Sequence, residues 1–223
     1  MTRSLFSAKF LRFFFKSRCG ACSHWGESGL CPFCLSRFER MKEEACPTCL
    51  RKSCECVEHP PSYARLLALG YYRGALRDSI RRFKFHGRAD LALDFGALLA
   101  SFEVPDGIVV PVPLAPDRLA KRGYNQSELL ARVFAQKKGL PFRNLLRRRI
   151  ETLPQFSLRK RERWENLSDA FEIFESPRGK RILLLDDIFT SGATAHWASE
   201  TLLAAGAPEV WVLVLARAKP YEP

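Results

Sequence analysis

The spacing of apolar residues changes rhythm several times along the chain, and the rhythm assigns elements before any side-chain chemistry is considered. Residues 64–72 are a short apolar run that ends near Gly74, and they are predicted to form a strand. In residues 75–85, Leu76, Ile80 and Phe83 share one side while Arg77, Arg81 and Arg82 lie elsewhere, which is a helical spacing. Residues 88–102 repeat it through Leu91, Phe95, Leu98 and Leu99. Residues 107–111 read as a buried strand followed by a Pro-rich turn at 111–113. Residues 126–136 read as a helix stopped by Gly139 and Pro141, and residues 142–149 as a strand. The clearest buried strand is 181–185. A helix over 194–205 with Gly206 at its stop follows, and then a strand over 210–215. Strand, helix and strand in this order predict right-handed crossovers and a parallel sheet flanked by helices, an α/β fold over residues 63–219.

Residues 19–57 follow a different logic. All eight cysteines fall there, as Cys19-Gly-Ala-Cys22, Cys31-Pro-Phe-Cys34, Cys46-Pro-Thr-Cys49 and Cys54-Glu-Cys56. Two residues between thiols let a tight turn aim both sulfurs at one point, as tetrahedral zinc requires. The simplest grouping is Cys19/Cys22/Cys31/Cys34 and Cys46/Cys49/Cys54/Cys56, although an interleaved pairing satisfies the spacing equally. The last pair, with one intervening residue, makes the weaker knuckle. Eight cysteines also permit a disulfide framework, but that needs an oxidising compartment. The first 15 residues carry Arg3, Lys9 and Arg12 among their Phe and Leu residues, with neither an uninterrupted apolar stretch nor a small-residue cleavage site. Structural zinc in a cytoplasmic protein is therefore the expectation. Residues 1–18 read as a basic leader that is a candidate for peripheral membrane contact. Residues 57–62, with Pro60 and Pro61, read as a linker to the α/β domain.

The formal charge of +12 predicts an anionic partner. Nucleic acid is the first class such an excess suggests, but the charge is not evenly spread. Between Arg118 and Arg181 the chain has 17 Lys and Arg against 7 Asp and Glu, so that segment alone holds most of the excess. No apolar run is long enough for a membrane-spanning helix.

The sharpest chemical feature is Ile182-Leu183-Leu184-Leu185-Asp186-Asp187-Ile188-Phe189-Thr190-Ser191-Gly192-Ala193-Thr194. A hydrophobic strand delivers two carboxylates to the carboxyl end of a sheet, where open α/β folds bind ligands. The Thr/Ser/Gly turn after it opens a helix whose backbone N–H groups can cradle an anion. Acids suited to hydroxyls beside a cradle suited to phosphate point to a sugar phosphate. The plainer alternative is two strand-end acids followed by an ordinary helix cap. The segment is neither a P-loop nor a dinucleotide fingerprint.

This arrangement resembles the signature of type I phosphoribosyltransferases, which bind 5-phosphoribosyl 1-pyrophosphate (PRPP). Three further stretches extend the likeness. They are Pro111-Val112-Pro113-Leu114 with Arg118 and Lys121-Arg122-Gly123-Tyr124-Asn125-Gln126; Leu153-Pro154-Gln155 with Arg161, Arg163 and Asn166; and Arg81-Arg82-Phe83-Lys84-Phe85-His86-Gly87. Together with the cysteine knuckles they resemble the ComF family over nearly the whole chain, with the short Cys54–Cys56 spacing as the one departure.

The resemblance implies a type I phosphoribosyltransferase-like domain behind a zinc module, with structural zinc, Mg²⁺ and PRPP as ligands. It implies that Asp186 and Asp187 hold the ribose hydroxyls, that Thr190, Ser191, Gly192, Ala193 and Thr194 bind the 5′-phosphate, and that Arg118, Lys121 and Arg122 meet pyrophosphate. Residues 150–168, with Gln155, Arg161 and Arg163, correspond to a flexible loop over the site, and Lys84 is a candidate phosphate contact. The family link adds a role in DNA uptake or nucleotide metabolism, with DNA-uptake proteins as candidate partners. A non-catalytic protein associated with single-stranded DNA, or a PRPP sensor, stands as the alternative. Nothing in the sequence names the acceptor.

Overall fold

The structure, a computed structural model, describes residues 17–26, 29–39, 46, 56, 60–149 and 170–218. The leader before Ser17, Cys49, Cys54, Gln155, Arg161, Arg163 and residues 57–59 of the linker lie outside the described residues.

At the centre is a four-stranded sheet in the order β3 (Arg65–Tyr71), β8 (Val210–Arg217), β7 (Ile182–Phe189), β4 (Ile108–Pro111), with every pair parallel. Buried residues separate by strand parity. Ile182, Leu184, Val210, Val212 and Val110 belong to one apolar core; Leu183, Leu185, Leu213, Leu215 and Val109 belong to the other. Both faces of the sheet are covered, which is why these strands read as unbroken apolar runs. One face carries α2 (Gly74–Phe85), α3 (Leu91–Leu99) and α5 (Gln126–Lys138). The other carries α6 (Ala193–Ala204) and a small antiparallel pair, β5 (Leu146–Arg148) with β6 (Phe171–Ile173). The molecule is thus α/β, with a parallel sheet flanked by helices behind a small N-terminal cysteine cluster.

The cysteine segment consists of β1 (Ser17–Arg18) paired with β2 (Trp25–Gly26), followed by α1 (Pro32–Ser36). It packs directly on the helical face. Leu30 is buried in the α2/α3/α5 core, and Arg82 Nη1 donates to Cys19 O at 3.1 Å. A Cβ on Gly20 would lie 2.5 Å from Leu91 Cδ2, so glycine permits this close approach.

Four sequence expectations need adjusting. The strand expected over 142–149 shortens to β5, with Phe142 contributing only an isolated bridge to Val109, because this stretch leaves the main sheet to pair with β6. The segment between Pro113 and Gln126, which the apolar pattern leaves without an element, contains a helix. Pro116 starts a helix, α4 (Pro116–Arg122), closed by Gly123 at φ 76°. The helix expected over 88–102 is the shorter α3. Strand β7 continues through both aspartates to Phe189, so the acids sit within the strand rather than beyond its end.

Candidate functional site

Successive strand residues point to opposite sides, and Asp186 and Asp187 accordingly have different partners. Asp186 Oδ1 accepts from Ser127 Oγ at 2.9 Å and from the Asp187 backbone N–H at 2.8 Å. Asp187, almost fully buried, receives Lys84 Nζ on Oδ1 at 2.8 Å. Burial, and then the like charge of Asp187, push the Asp186 carboxyl up from its ordinary 3.8 to about 6; Lys84, the Asp187 N–H and Ser127 pull the other way.

Two helices supply those partners, each placed by local rules. Lys84 lies in the last turn of α2, whose Leu76, Ile80 and Phe83 are buried and so fix which side of the helix meets the sheet. The Tyr124 hydroxyl donates to Phe83 O, anchoring that last turn. Ser127 lies in the first turn of α5. Asn125 caps this helix through Oδ1, which accepts from Ser127 N at 3.1 Å, and its Nδ2 donates to Val112 O at 3.0 Å. A cap thus ties the start of α5 to the end of β4 and holds Ser127 over Asp186.

Beyond Phe189 the chain turns through Thr190 and Ser191 into α6. Gly192 occupies the N-cap position at φ 88°, and a Cβ there would lie 2.8 Å from Phe189 Cζ. Gly192 offers no capping side chain and the first turn of α6 has no acidic residue; the Ala193 N–H donates to Ser191 Oγ at 3.4 Å, and a helix N-terminus of this kind suits an anion. Asp186, Thr190, Gly192 and Thr194 line one small cavity, which brings the carboxylate and the turn together.

The expected pyrophosphate residues divide. Arg118 acts electrostatically on a neighbouring guanidinium, that of Arg148. Arg122 Nη1 donates to Gln126 Oε1 at 3.1 Å, and its guanidinium stacks over Phe85, so it faces the α2 end. Lys121 is exposed on α4. Lys84, read from sequence as a phosphate contact, is paired with Asp187.

Ser127 and Arg148 were not recognised in the sequence. Ser127 carried only the weak signal of a first-turn residue behind an Asn cap. Arg148 sits on β5, and its Nε has no hydrogen-bond partner among the described residues. Burial, and then Arg118, lower its pKa, whereas Asp186 and Asp117 raise it, so it shares one electrostatic neighbourhood with Arg118 and Asp186. An open cleft of about 1040 Å³ adjoins it, lined by Pro113, Leu114, Leu119, Arg147, Arg148 and Phe174 among others.

The sulfurs of Cys19, Cys22, Cys31 and Cys34 all lie within 4.8 Å of one another, and Cys22 and Cys31 are 3.9 Å apart. A zinc ion with bonds of about 2.3 Å needs sulfurs about 3.8 Å apart, so the donor set fits a tetrahedral centre. Burial opposes ionisation of Cys19, but N–H donors from Cys31, Cys22 and Ala21 outweigh it and bring the thiol down to about 6. Burial, followed by the other three thiols, pushes Cys34 up. Without a cation these four groups could not all ionise together. Of the second expected set, only Cys46 and Cys56 are described.

No helix among the described residues is long and apolar enough to cross a membrane. No family model matches the chain. Among solved structures, the chain is similar to the allosteric regulatory enzyme of purine biosynthesis (22% identity, TM-score 0.40, covering 57% of this chain and 25% of that one). It is also similar to an adenine phosphoribosyltransferase (23% identity, TM-score 0.32, covering 63% and 70%). Among curated proteins it is 30% identical to competence protein F of Haemophilus influenzae over 229 residues, spanning 92% of this chain and 99% of that protein. It is 31% identical to the DNA utilization protein YhgH of Salmonella typhimurium, spanning 88% and 92%. It is 33% identical to competence protein ComFC of Streptococcus pneumoniae, spanning 86% and 89%. With 30–33% of aligned residues identical across 89–99% of the length of such relatives, the chain belongs to the competence protein F (ComF) family.

Proposed function

We propose that the protein binds PRPP with Mg²⁺ in a phosphoribosyltransferase-like site and transfers the phosphoribosyl group to an acceptor. The observation that carries this reading is the continuity of β7 into α6. Two carboxylates with separate polar partners run directly into a helix N-terminus through a glycine at φ 88°. The α6 N–H groups with Thr190 and Thr194 receive the 5′-phosphate, Asp186 and Asp187 receive the ribose hydroxyls, and Arg118 with Arg148 face the pyrophosphate. In the reaction the bond from ribose C1 to pyrophosphate oxygen breaks, the electron pair leaves with pyrophosphate, and the acceptor's lone pair closes on C1. Bound Mg²⁺ would neutralise pyrophosphate charge. The chain's own groups orient the ribose and balance the leaving anion. The open cleft beside Arg148 gives the acceptor a route.

Structural zinc at Cys19, Cys22, Cys31 and Cys34 holds the N-terminal segment against α2 and α3. The names of the relatives, competence and DNA utilization, support a role for this chemistry in the uptake or use of DNA.

Isothermal calorimetry with PRPP and Mg²⁺ tests the reading. Wild type should bind with one-site stoichiometry, and Asp187→Asn should lose most of the heat. Absence of wild-type binding would overturn it. Binding without pyrophosphate release in cell extract would make the protein a PRPP sensor.

A second reading has its own observation. Four exposed aromatics each carry an arginine over the ring: Trp25 with Arg18, Phe33 with Arg37, Phe85 with Arg122 and Phe174 with Arg147, at 3.7 to 4.9 Å. Such pairs suit base stacking and backbone neutralisation on single-stranded DNA. Filter binding across a salt series would show affinity falling steeply with salt if it holds, and negligible affinity at physiological salt would end it.

A further inference from the structure

Ser127 uses a buried hydroxyl in an unusual place. The residue is 4% exposed and stands in the first turn of α5, where its backbone N–H is taken by the Asn125 cap at 3.1 Å. A serine near a helix start ordinarily turns its hydroxyl to neighbouring backbone. This one donates to Asp186 Oδ1 at 2.9 Å, a residue 59 positions further along the chain. Any acceptor would have met the cost of burying the hydroxyl. The choice of this acceptor is therefore judged by what it does to the carboxylate.

A carboxylate has two oxygens, each with room for two donors. The Asp187 backbone N–H also meets Oδ1, at 2.8 Å, so both donors fall on the same oxygen. Oδ1 is filled, and among the described residues no donor meets Oδ2. Asp186 lines the small cavity with Thr190, Gly192 and Thr194, so the open oxygen belongs to the acid that shares a cavity with the α6 turn. The terminal torsion of an aspartate is broad on its own. One donor from the adjacent backbone and a second from another element together fix its plane. Ser127 is held in turn, because Asn125 Nδ2 donates to Val112 O at 3.0 Å and ties the start of α5 to the end of β4.

We propose that Ser127 is a positioning residue that clamps one oxygen of Asp186, so that the other oxygen alone is presented to a hydroxyl of the ligand. This deepens the reading of Asp186 as a ribose-facing acid and rests on it. Ser127 acts only through Asp186, and a phosphate at the α6 turn does not sense it. The same hydrogen bond favours the ionised carboxylate, as Lys84 and the Asp187 N–H do, against burial and the Asp187 charge; Arg148 is the other charged group coupled to Asp186.

The test has two arms, both on the zinc-loaded full chain. The first follows the Asp186 carboxyl by ¹³C NMR against pH with no ligand present, its signal assigned by its loss in Asp186→Asn. Removing a donor to the charged form should raise the proton affinity of Asp186 about tenfold in Ser127→Ala. Ser127→Thr, which keeps the donor, should match wild type. The second arm is calorimetry with ribose 5-phosphate and with inorganic phosphate, above the pH at which the carboxyl titrates. Ser127→Ala should weaken ribose 5-phosphate about tenfold and leave phosphate unchanged, and in an Asp186→Asn background it should cost nothing further. A merely structural serine would lower both affinities together. The proposal fails if Ser127→Ala leaves the Asp186 proton affinity within about twofold of wild type, or weakens phosphate as much as ribose 5-phosphate. Ser127→Gly, which also removes the hydroxyl and adds no atom, decides in the same way if Ser127→Ala does not fold. Wild type and variants that titrate as expected while wild type binds no ribose 5-phosphate would overturn the ribose reading alone, so the two failures are separate results.

Discussion

Replacing Asp186 with asparagine should stabilise the protein at neutral pH while damaging its site. In the folded chain the carboxyl is raised from 3.8 to about 6, by burial first and then by Asp187. Each tenfold change in proton affinity corresponds to about 1.4 kcal/mol, so ionising Asp186 in place costs about 3 kcal/mol relative to the unfolded chain. Between pH 3.8 and about 6 the unfolded chain has lost this proton while the folded chain retains it. Stability therefore falls as pH rises through that window and levels off above it. Asparagine carries no such penalty, and its side-chain oxygen can still accept from Ser127 Oγ and from the Asp187 N–H. The gain from Asp186→Asn should be close to zero below pH 4 and reach about 1–3 kcal/mol above pH 6, the lower end allowing for relaxation around the new amide. For a chain of 223 residues this corresponds to a rise in Tm of roughly 2–12 °C at pH 7.5. Urea unfolding followed by the fluorescence of Trp197 and Trp211, which pack against the two cores, would measure it at several pH values. A variant that is less stable than wild type at pH 7.5, or whose gain is the same at pH 4 and pH 7.5, would refute the reasoning. An unfavourable buried charge kept at a proposed ligand site is the form that a stability–activity trade-off usually takes.

Gly192→Ala should lower stability by about 1–3 kcal/mol, because φ 88° disfavours any side chain and the new Cβ would press on Phe189. Inorganic phosphate should then raise Tm in wild type but not in the variant, and an unchanged phosphate response would count against the α6 cradle. Cys34→Ser should reduce zinc content by one ion per chain and loosen the packing of Leu30 on α2 and α3, read by metal analysis and proteolysis. Unchanged zinc content would remove these four thiols as the centre.

The parts of this molecule legible from sequence are those fixed by local pattern. Strands β7 and β8 are apolar on both faces because both faces are covered, and no other placement of Leu183, Leu184 and Leu185 is consistent with water. The turn at Gly192 is written in the residues that make it. What was not legible depends on pairs far apart in the chain. Lys84 meets Asp187 only because α2 packs beside β8 and β7, a fact no window around Lys84 contains. Arg148 is half-buried through a pairing with β6, a strand of three residues that is too short to show a period. Helix α4 was hidden because its seven residues bury no side chain and so present no apolar stripe.

The Arg122-Gly123-Tyr124-Asn125-Gln126 stretch can now be given a physical role. Arg122 reaches Gln126 and stacks on Phe85; Gly123 closes α4 in the left-handed region; Tyr124 holds Phe83 O. Asn125 caps α5 and grips Val112 O, and Gln126 is 1% exposed. These contacts spend the stretch on neighbouring protein rather than on open space. The three pieces they join are the end of α2, the segment after β4 and the start of α5. From those pieces come Lys84 and Ser127, the two side chains that touch Asp187 and Asp186. The stretch therefore acts on the carboxylates at one remove. It sets the separation between a lysine and a serine that are 43 positions apart. A change at Tyr124 or Asn125 should accordingly appear first in the proton affinity of Asp186 and only through it in ligand binding.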